Sequence, residues 1–430
     1  MDVSIHDLIL LGSAAILAVL FLLILFEPSL PYRVAAPAEP VDSDRFLELL
    51  GAVINARVFR RSHVRVHSSG EAIYEAELAA IAGARSTVHL EAYLFLRGRA
   101  GERFVEALTA AAKRGVKVRV VVDAIGSLFT PNRYFAGLRA AGGRVEWYQP
   151  VRWYTLKRFN NRTHRELLVV DGKVGFIGGA GIADWWLPSR GRGRPWRDTT
   201  VEVTGPLVAG LQTSFVENWL ESSGEILVGE DEFARGAVEE RGTGAGDVCG
   251  LVVNSTPSAG RATQARMLFQ IFLASARESI RINSPYFVPD RSARAELLRA
   301  VKRGVAVTVI APNRLNNHPI ARLASRRRYG ELIAGGVEIH EYQPTMIHAK
   351  VLVVDGAWTV LGSTNFDSRS FGLNDEVNVA LRDRPLAQRM EADFARDLAR
   401  SRRIDYDAWA RRPVGERVLA FLGMVLERQE

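Results

Sequence analysis

Two segments of the chain carry the same pattern of potentially reactive side chains. The second segment contains His348, Lys350 and Asp355 in the spacing H-x-K-x-x-x-x-D. The first contains His164 and an aspartate at the same spacing, but Glu166 stands at the lysine position. Two imidazoles suit phosphodiester chemistry, because one can attack phosphorus while the other protonates the leaving alkoxide. The duplicated histidine therefore predicts one shared site.

Each motif is followed by a predicted strand, an Asp-Gly turn and a second strand. Residues two apart on a strand project to the same side, so His348 and Lys350 are expected to point into one space, and Glu166 to face the same site. Asp-Gly between two apolar runs is a hairpin signal. Asp171 and Asp355 are therefore candidate site residues by their spacing and candidate turn residues by their context.

Further polar residues follow the two motifs. Ser363 and Asn365, in the string LGSTN, can donate hydrogen bonds to the non-bridging oxygens of a phosphate group, as can the lysine of the motif. Each histidine also needs an orienting partner on its other ring nitrogen. We predict that Glu376 orients the second histidine and Asp198 the first, because each carboxylate precedes an alternating strand of that histidine's own copy.

The repeat extends well beyond these motifs. A helix ending in Lys-Arg-Gly, at 113–115 and again at 302–304, lies between β-branched strands in both copies. Cations followed by glycine are a helix stop signal, and strands alternating with helices predict βαβ units in a parallel or mixed sheet. We predict an α/β fold with two domains, residues 45–222 and 251–400, joined by a linker at 223–250.

The N-terminal part predicts a membrane anchor. Residues 8–26 are free of charge, and this run is just long enough to cross a bilayer as a helix. The alternative is a cleaved signal peptide, but the preceding residues contain two aspartates and no lysine or arginine. Because arginines follow the run, we expect a single-pass protein with its main body in the cytoplasm. Residues 27–44 are a Pro-rich linker.

The C-terminal stretch, residues 401–430, is predicted to be an amphipathic helical segment. Core packing is one interpretation of its apolar face, and contact with a membrane interface is the other. The face is formed by Val418, Leu419, Leu422, Val425 and Leu426.

Bulk composition limits the classes of site. The chain has 430 residues, enough for two cores, and its net charge of +8 favours an anionic partner. Cys249 is the only cysteine, so intramolecular disulfides and cysteine-cluster metal sites are excluded. The histidines show no ligand-spacing pair, and we expect neither a metal nor a cofactor. The composition does not indicate an oligomeric state.

The first copy contains a ten-residue insertion within VRWYTLKRFNNRT, directly before His164. Its aromatic and cationic residues are suited to line one side of the site. The alternative is a plain surface insertion.

With these motifs the chain resembles the phospholipase D superfamily and, within it, the bacterial cardiolipin synthases. The resemblance covers residues 45–400 and depends on the strings SPYFVPD, IHAKVLVVDG, LGSTNFDSRSFGLNDEVN and THRELLVVDGKVGFIGGAGIAD. It implies two tandem phospholipase D-like α/β/α domains with pseudo-twofold symmetry after one transmembrane helix. It also implies a metal-independent reaction in which His164 forms a phosphohistidine and His348 is the general acid and base. Two phosphatidylglycerol molecules would give cardiolipin and glycerol at the bacterial inner membrane.

Two positions depart from the pattern of that family. Glu166 replaces the first lysine, and Gly181 stands where asparagine is usual. Three interpretations are open: Glu166 is paired with a nearby cation, Glu166 is a subgroup feature that serves a different acceptor alcohol, or the enzyme is impaired. The candidate cations are Lys157, Arg158, Arg162, Arg194 and Arg197.

Other functions are compatible with the same residues. A phospholipase D that uses water as acceptor would give phosphatidic acid instead of cardiolipin. A nuclease would fit the basic charge, but no nucleic-acid-binding module is recognisable, so no nucleic-acid partner is expected. A non-catalytic protein that binds anionic lipid would bind without turnover, which the intact second motif disfavours.

Overall fold

A computed structural model describes residues 4–25, 31–35, 39–150, 152–153, 160–188, 193–229, 232–233, 248–257, 262–413, 415–417 and 420. The chain divides into two units, Met1–Tyr32 and Arg33–Glu430. The first unit contains helix α1, Ile5–Leu25. Across the described residues, no helix is both long enough and apolar enough to span a membrane. The predicted anchor at residues 8–26 is therefore not confirmed.

Within its described residues, the first copy of the repeat in the second unit contains seven strands and five α-helices. The helices are α2 (Asp44–Val53), α3 (Gly70–Gly83), α4 (Arg99–Lys113), α5 (Ala136–Ala140) and α6 (Leu207–Ser223). The strands are β1 (Val58–His67), β2 (Thr87–Ala92), β3 (Lys117–Asp123), β4 (Arg144–Tyr148), β5 (Leu167–Val170), β6 (Val174–Gly178) and β7 (Thr200–Thr204).

The second copy has the same succession of elements with a few additions. Its helices are α7 (Gln264–Ser275), α8 (Arg291–Lys302), α9 (Pro319–Ala334), α10 (Arg384–Leu398) and α11 (Tyr406–Ala410). Its strands are β8 (Val248–Ser255), β9 (Ser279–Asn283), β10 (Phe287–Val288), β11 (Ala306–Pro312), β12 (Glu338–Tyr342), β13 (Val351–Val354), β14 (Trp358–Gly362), β15 (Phe366–Asp367), β16 (Glu376–Arg382) and β17 (Ser401–Arg403).

One sheet of fifteen strands runs through both copies, in the order β17-β12-β11-β9-β13-β14-β16-β8-β1-β7-β6-β5-β2-β3-β4. From the central antiparallel pair β8–β1 outward, the order β1-β7-β6-β5-β2-β3-β4 matches β8-β16-β14-β13-β9-β11-β12. Strands β2, β3 and β4 are parallel, as are β9, β11 and β12, while the inner strands are antiparallel. The prediction of a mixed α/β fold with a duplicated unit is confirmed.

The helix stops follow the sequence signals. Gly115 after α4 has a φ of 88°, and Gly304 after α8 has a φ of 91°. These are left-handed conformations that glycine adopts without steric cost, which ends each helix and turns the chain into the next strand.

Helices cover both faces of the sheet. On one face, α3 and α4 pack over the first copy and α7 and α8 over the second, each over its own apolar core. On the other face, α6 and α10 share one core that contains residues of both copies, including Leu211, Trp219, Val379 and Phe394. The two copies are therefore joined by a common core as well as by the β8–β1 pair.

The domain boundaries stay predictions, and β8 begins at Val248, inside the predicted linker. The C-terminal segment begins with strand β17, which pairs with β12 and forms the edge of the sheet, so its first residues are not helical. The predicted apolar face at residues 418–426 lies outside the described residues.

Candidate active site

A cavity of about 470 Å³ contains the candidate reactive groups of both copies. Its walls include His164, Glu166 and Tyr93 from the first copy and His348 and Tyr286 from the second. Strands β2 and β9 end beside it, where the carboxyl ends of parallel strands leave room for a ligand. The two histidines predicted to share a site therefore do line one cavity.

The second-copy histidine is held by a carboxylate. Its segment runs extended into β13, and Nδ1 of His348 donates to Oδ2 of Asp198 at 2.8 Å. Nε1 of Trp186 donates to the same oxygen at 3.0 Å. Asp198 and Trp186 are both fully buried, so the imidazole is fixed from behind.

The first-copy histidine is held in a matching way. Nδ1 of His164 lies 3.0 Å from the carbonyl oxygen of Ser363 and 3.2 Å from the carboxylate of Glu376. The ring of Tyr93 meets the imidazole edge-on, with 5.1 Å between ring centroids. Because Nδ1 faces the carboxylate, Nε2 is the nitrogen left for a ligand in the cavity.

The predicted pairing of histidines and carboxylates was wrong: the carboxylates are exchanged between the copies. The reason lies in two parallel bridges that join the copies beside the site, Thr163 to Asp375 and Arg197 to Ile347. The backbone N–H of His164 donates to the carbonyl of Asp375, so the neighbouring Glu376 falls beside His164. The carboxylate of each copy therefore orients the histidine of the other.

Burial and charge set the ionisation of this group. Burial, followed by the charge of Lys350, lowers the pKa of His348 to about 4. Burial lowers the pKa of Lys350 to about 8 against the opposing effect of Asp198. Burial also disfavours the Asp198 and Glu376 carboxylates. The hydrogen bond from His348 and the charge of Lys350 hold the pKa of Asp198 below its usual value, and contacts with His164 and Ser363 do the same for Glu376. At neutral pH the free site thus holds a neutral His348 beside two carboxylates and an ammonium group.

Lys350 points the same way as its histidine, as the H-x-K spacing predicted. Nζ lies 3.1 Å from Nδ1 and 3.2 Å from Nε2 of His348, and it donates to the histidine's own carbonyl oxygen at 3.1 Å. The side chain is almost fully buried. The Lys350 side chain occupies space beside Gly179 of the first copy. A Cβ atom at position 179 would lie 3.0 Å from Nζ of Lys350.

Glu166 also lines the cavity. Its Oε1 accepts a hydrogen bond from the backbone N–H of Leu94 at 3.2 Å. Burial raises the pKa of Glu166 well above its ordinary value, and Lys350 opposes this only in part. The pKa shift favours a protonated, neutral carboxyl group in the free site.

The proposed cation partner of Glu166 is not found among the described residues. Arg162 faces Asp123 at 3.6 Å, and Arg197 pairs with Asp397 at 3.0 Å. Arg194 is exposed. The remaining two candidates, Lys157 and Arg158, lie outside the described residues.

The two motif aspartates are turn residues. Asp171 and Asp355 have φ values of 54° and 51°, and the glycine after each is also left-handed, as in a two-residue hairpin turn. The carboxylate of Asp171 accepts the backbone N–H groups of residues 85–87, and that of Asp355 accepts those of residues 277–279. Neither lines the cavity, so their placement in the catalytic group is corrected: they fasten the hairpins to the starts of β2 and β9.

The two residues predicted to donate hydrogen bonds to a phosphate group lie in different places. Asn365 lines the cavity. Ser363 instead donates its hydroxyl to Glu376, behind His164, so the structure assigns it to orientation of the carboxylate rather than to the cavity wall.

Other residues at the site carried no signal in the sequence. Trp186 reaches Asp198, and the ring of Trp196 lies 5.5 Å from that of His348. Arg369 lines the cavity and donates to Asn160 of the ten-residue insertion, at 2.7 Å. Asn160 also lines the cavity, but most of the segment 151–163 that contains the insertion lies outside the described residues, so the role of the insertion stays a prediction. Within the described residues, no group of three or more His, Cys, Asp or Glu side chains could hold a metal ion.

Comparison with known proteins agrees with this arrangement. Residues 78–201 and 270–398 match the family described as cardiolipin synthase, PLD-like domain. The chain is 34% identical to a cardiolipin synthase of Geobacillus kaustophilus over 85% of this chain and 72% of the relative. It is 35% identical to a cardiolipin synthase A of Pseudomonas aeruginosa over 92% of this chain and 78% of the relative.

A solved structure shares the fold. The phosphatidylserine synthase of Haemophilus influenzae superimposes with a TM-score of 0.70, at 14% identity, over 90% of this chain and all of that one. At that identity the similarity establishes the fold alone.

Proposed function

This chain belongs to the family of cardiolipin synthases with a phospholipase D-like domain, and we propose that it is a phosphatidyltransferase that converts two phosphatidylglycerol molecules into cardiolipin and glycerol. One observation carries the proposal: His164 and His348 line one cavity, each fixed from behind by a buried carboxylate. Two oriented imidazoles allow one to attack phosphorus while the other handles the proton of the alcohol.

The first half-reaction forms a phosphohistidine. Nε2 of His164 attacks the phosphorus of the first phosphatidylglycerol, and the bond from phosphorus to the glycerol oxygen breaks. His348 gives its proton to that oxygen, and free glycerol leaves. Glu376 stabilises the positive charge that develops on the attacked imidazole, because it faces Nδ1 of His164.

The second half-reaction transfers the phosphatidyl group. A glycerol hydroxyl of the second phosphatidylglycerol attacks phosphorus, and His348 takes its proton. The nitrogen–phosphorus bond breaks, which releases cardiolipin and returns His164 to its starting state. In both steps we assign Lys350 and Asn365 to stabilise charge on the non-bridging oxygens, because Asn365 lines the cavity and Nζ of Lys350 contacts both ring nitrogens of His348.

His348 must acquire a proton before it can act as an acid. Its pKa of about 4 makes it neutral in the free site, whereas a bound phosphodiester anion favours the protonated form. Binding of an unreactive phosphodiester at pH 7 should therefore take up about one proton in a His164→Asn variant. Calorimetry in buffers of different ionisation enthalpy measures this uptake. Binding without uptake would contradict the general-acid role of His348.

The proposed substrate is a bilayer lipid, so the reaction would take place at a membrane surface. Attachment through residues 8–26, with the main body in the cytoplasm, stays a prediction from the sequence. Alkaline carbonate extraction of membranes from expressing bacteria tests it, because a chain anchored by a spanning helix stays in the pellet. Recovery of the full-length chain in the wash would contradict the anchor.

The function is tested by incubating purified full-length protein with phosphatidylglycerol vesicles and identifying the lipid products. We expect cardiolipin and free glycerol, and neither from His164→Ala or His348→Ala. Phosphatidic acid without cardiolipin would identify a phospholipase D-type hydrolase instead. Tight binding without any product would favour a non-catalytic lipid-binding protein.

A further inference from the structure

We propose that Glu166 and Gly181 form one hydroxyl-binding subsite, which selects polyhydroxyl acceptors for the phosphatidyl group. The subsite lies on the first-copy wall of the cavity and replaces the phosphate-binding side chains that the second copy retains. This inference rests on the proposed function, because it names what the same site accepts. It makes Glu166 a specificity-determining residue.

The two residues are coupled by space. A Cβ atom at Gly181 would lie 2.8 Å from Oε1 of Glu166 and 2.8 Å from Cβ of Leu94. The backbone of Leu94 is tied in place, because its carbonyl accepts the N–H of Ile182 at 2.7 Å. A side chain at position 181 would therefore displace the Glu166 carboxyl from its place beside Leu94. The absence of a side chain at 181 is what allows Glu166 to take this position.

The second copy has a different pair at the equivalent places, which are offset by 184 residues. Lys350 corresponds to Glu166, and Asn365 corresponds to Gly181. Lysine and asparagine both carry N–H donors, which suit the acceptor-only oxygens of a phosphate group. The first copy has lost both donors together, so the two exchanges are parts of one change.

A carboxyl group at the lysine position suits a hydroxyl group better than a phosphate oxygen. An ionised carboxylate only accepts hydrogen bonds and repels phosphate, while a neutral carboxyl group both donates and accepts. A hydroxyl group also donates and accepts, so the two are complementary. Within the described residues, no cation forms an ion pair with Glu166, and burial favours the neutral form although the hydrogen bond from Leu94 and the charge of Lys350 oppose it.

The rest of the cavity wall carries charged residues, among them Arg162, Asp367 and Arg369, and also uncharged polar residues that fit the same class of ligand. Asn160, Asn317 and Ser368 add uncharged groups that can donate or accept hydrogen bonds. Asn160 is itself positioned by Arg369, at 2.7 Å. A cavity with a phosphate-binding side at His348 and Asn365 and a hydroxyl-binding side at Glu166 can hold the phosphorus and the acceptor in fixed relation. The acceptor class is an alcohol with two or more hydroxyl groups.

Competition between two alcohols tests the subsite. Purified full-length protein is given phosphatidylglycerol vesicles with glycerol and propan-1-ol at equal concentration. The glycerol carries an isotope label, so its transfer product is distinguished from the starting lipid by mass. We expect the wild type to favour glycerol over propan-1-ol by at least tenfold, corrected for the number of hydroxyl groups. Equal use of the two alcohols by the wild type would overturn the inference without any variant.

The variants locate the selectivity. Glu166→Gln keeps a group that donates and accepts, so we expect its glycerol preference to stay within about threefold of wild type. Glu166→Leu keeps the approximate size but removes the hydrogen bonds, and we expect its preference to fall about tenfold or more while total phosphatidyl release continues. Glu106→Ala, an exposed change on α4, is the control for handling and folding.

Gly181→Ala tests the coupling, since its Cβ atom should displace Glu166 and produce the same loss of preference. The outcomes separate the two proposals. Absence of any phosphatidyl release from phosphatidylglycerol by the wild type would refute the proposed function. Normal release with an unchanged alcohol ratio in Glu166→Leu would refute the subsite alone. Thermal melting of each variant shows whether it is folded, and if Glu166→Leu does not fold, the wild-type ratio and Gly181→Ala decide.

Discussion

The two copies of the repeat build the same backbone around the cavity but supply different side chains to it. Both have the same strand order, the same Asp-Gly hairpin and a histidine with a buried carboxylate behind it. At the three equivalent positions around the histidine, the second copy has Lys350, Ser363 and Asn365. The first copy has a glutamate and two glycines there.

The difference is complementary rather than a simple loss. A Cβ atom at Gly179 would lie 2.7 Å from Oδ1 of Asp198 and 3.0 Å from Nζ of Lys350. Gly179 thus leaves space for Lys350 of the second copy and for Asp198, the first-copy carboxylate that orients His348. The comparison teaches that two copies with the same backbone can supply different chemical groups to one site when the side chains of one copy occupy space left by small residues of the other.

The largest expected effect comes from the histidines themselves. His164→Ala and His348→Ala should each lower the rate of cardiolipin formation by about a thousandfold or more. The first variant removes the nucleophile, and the second removes the group that transfers the proton. The two differ in the intermediate. Radiolabelled phospholipid should label the chain in His348→Ala and leave His164→Ala unlabelled. A label on His348 in the wild type, located by peptide mapping, would reverse the assigned roles.

The exchanged carboxylates give the next largest effect. Asp198→Asn and Glu376→Gln should each lower turnover by about 10- to 100-fold, because each leaves a histidine without its orienting partner. Nitrogen-15 imidazole spectra show which histidine is affected. Asp198→Asn should shift the signals of His348 and leave those of His164 in place, and Glu376→Gln should do the reverse. The opposite result would support pairing within each copy.

A smaller effect is expected from the second donor on each carboxylate, where the copies use different residues. Trp186 donates to Asp198, and Ser363 donates to Glu376. Trp186→Phe keeps an aromatic ring but removes the N–H donor. Ser363→Ala removes the hydroxyl donor. Each should lower turnover by about tenfold, roughly the value of one hydrogen bond to a charged group. Full activity in both would show that these two hydrogen bonds are not needed to orient the carboxylates, which also accept from Thr199 and Asn374.

The sequence could predict what depends on local pattern. The paired histidines, the common direction of His348 and Lys350, the hairpins and the helix stops at Gly115 and Gly304 follow from strand alternation and turn chemistry. The hairpin context also predicted the turn role of Asp171, although its spacing had suggested the site.

What the sequence could not predict depends on contacts between the copies. The exchange of carboxylates follows from the Thr163–Asp375 and Arg197–Ile347 bridges, which join segments about 150 or more residues apart in the chain. The contact of Trp186 with Asp198 depends on loop packing, which no periodic pattern encodes. The relation between Glu166 and Gly181 was visible only as two unexplained exchanges.

The smallest expected effect is on the pH dependence of stability, where two buried glutamates with opposite pKa shifts, Glu166 and Glu376, should differ. The pKa of Glu166 is raised by burial, so the folded chain keeps a proton that the unfolded chain releases above a pH of about 4.3. Wild-type stability should therefore fall relative to Glu166→Gln as pH rises, by at most about 1.4 kcal/mol for each pH unit. The pKa of Glu376 is lowered by His164, so the stabilisation it provides is present above pH 4.3 and is lost as pH falls further. Thermal melting of both Gln variants and the wild type across this range measures the two trends. Parallel trends would mean that the carboxyl groups share one ionisation state, and the contrast between the two walls of the cavity would then be steric alone.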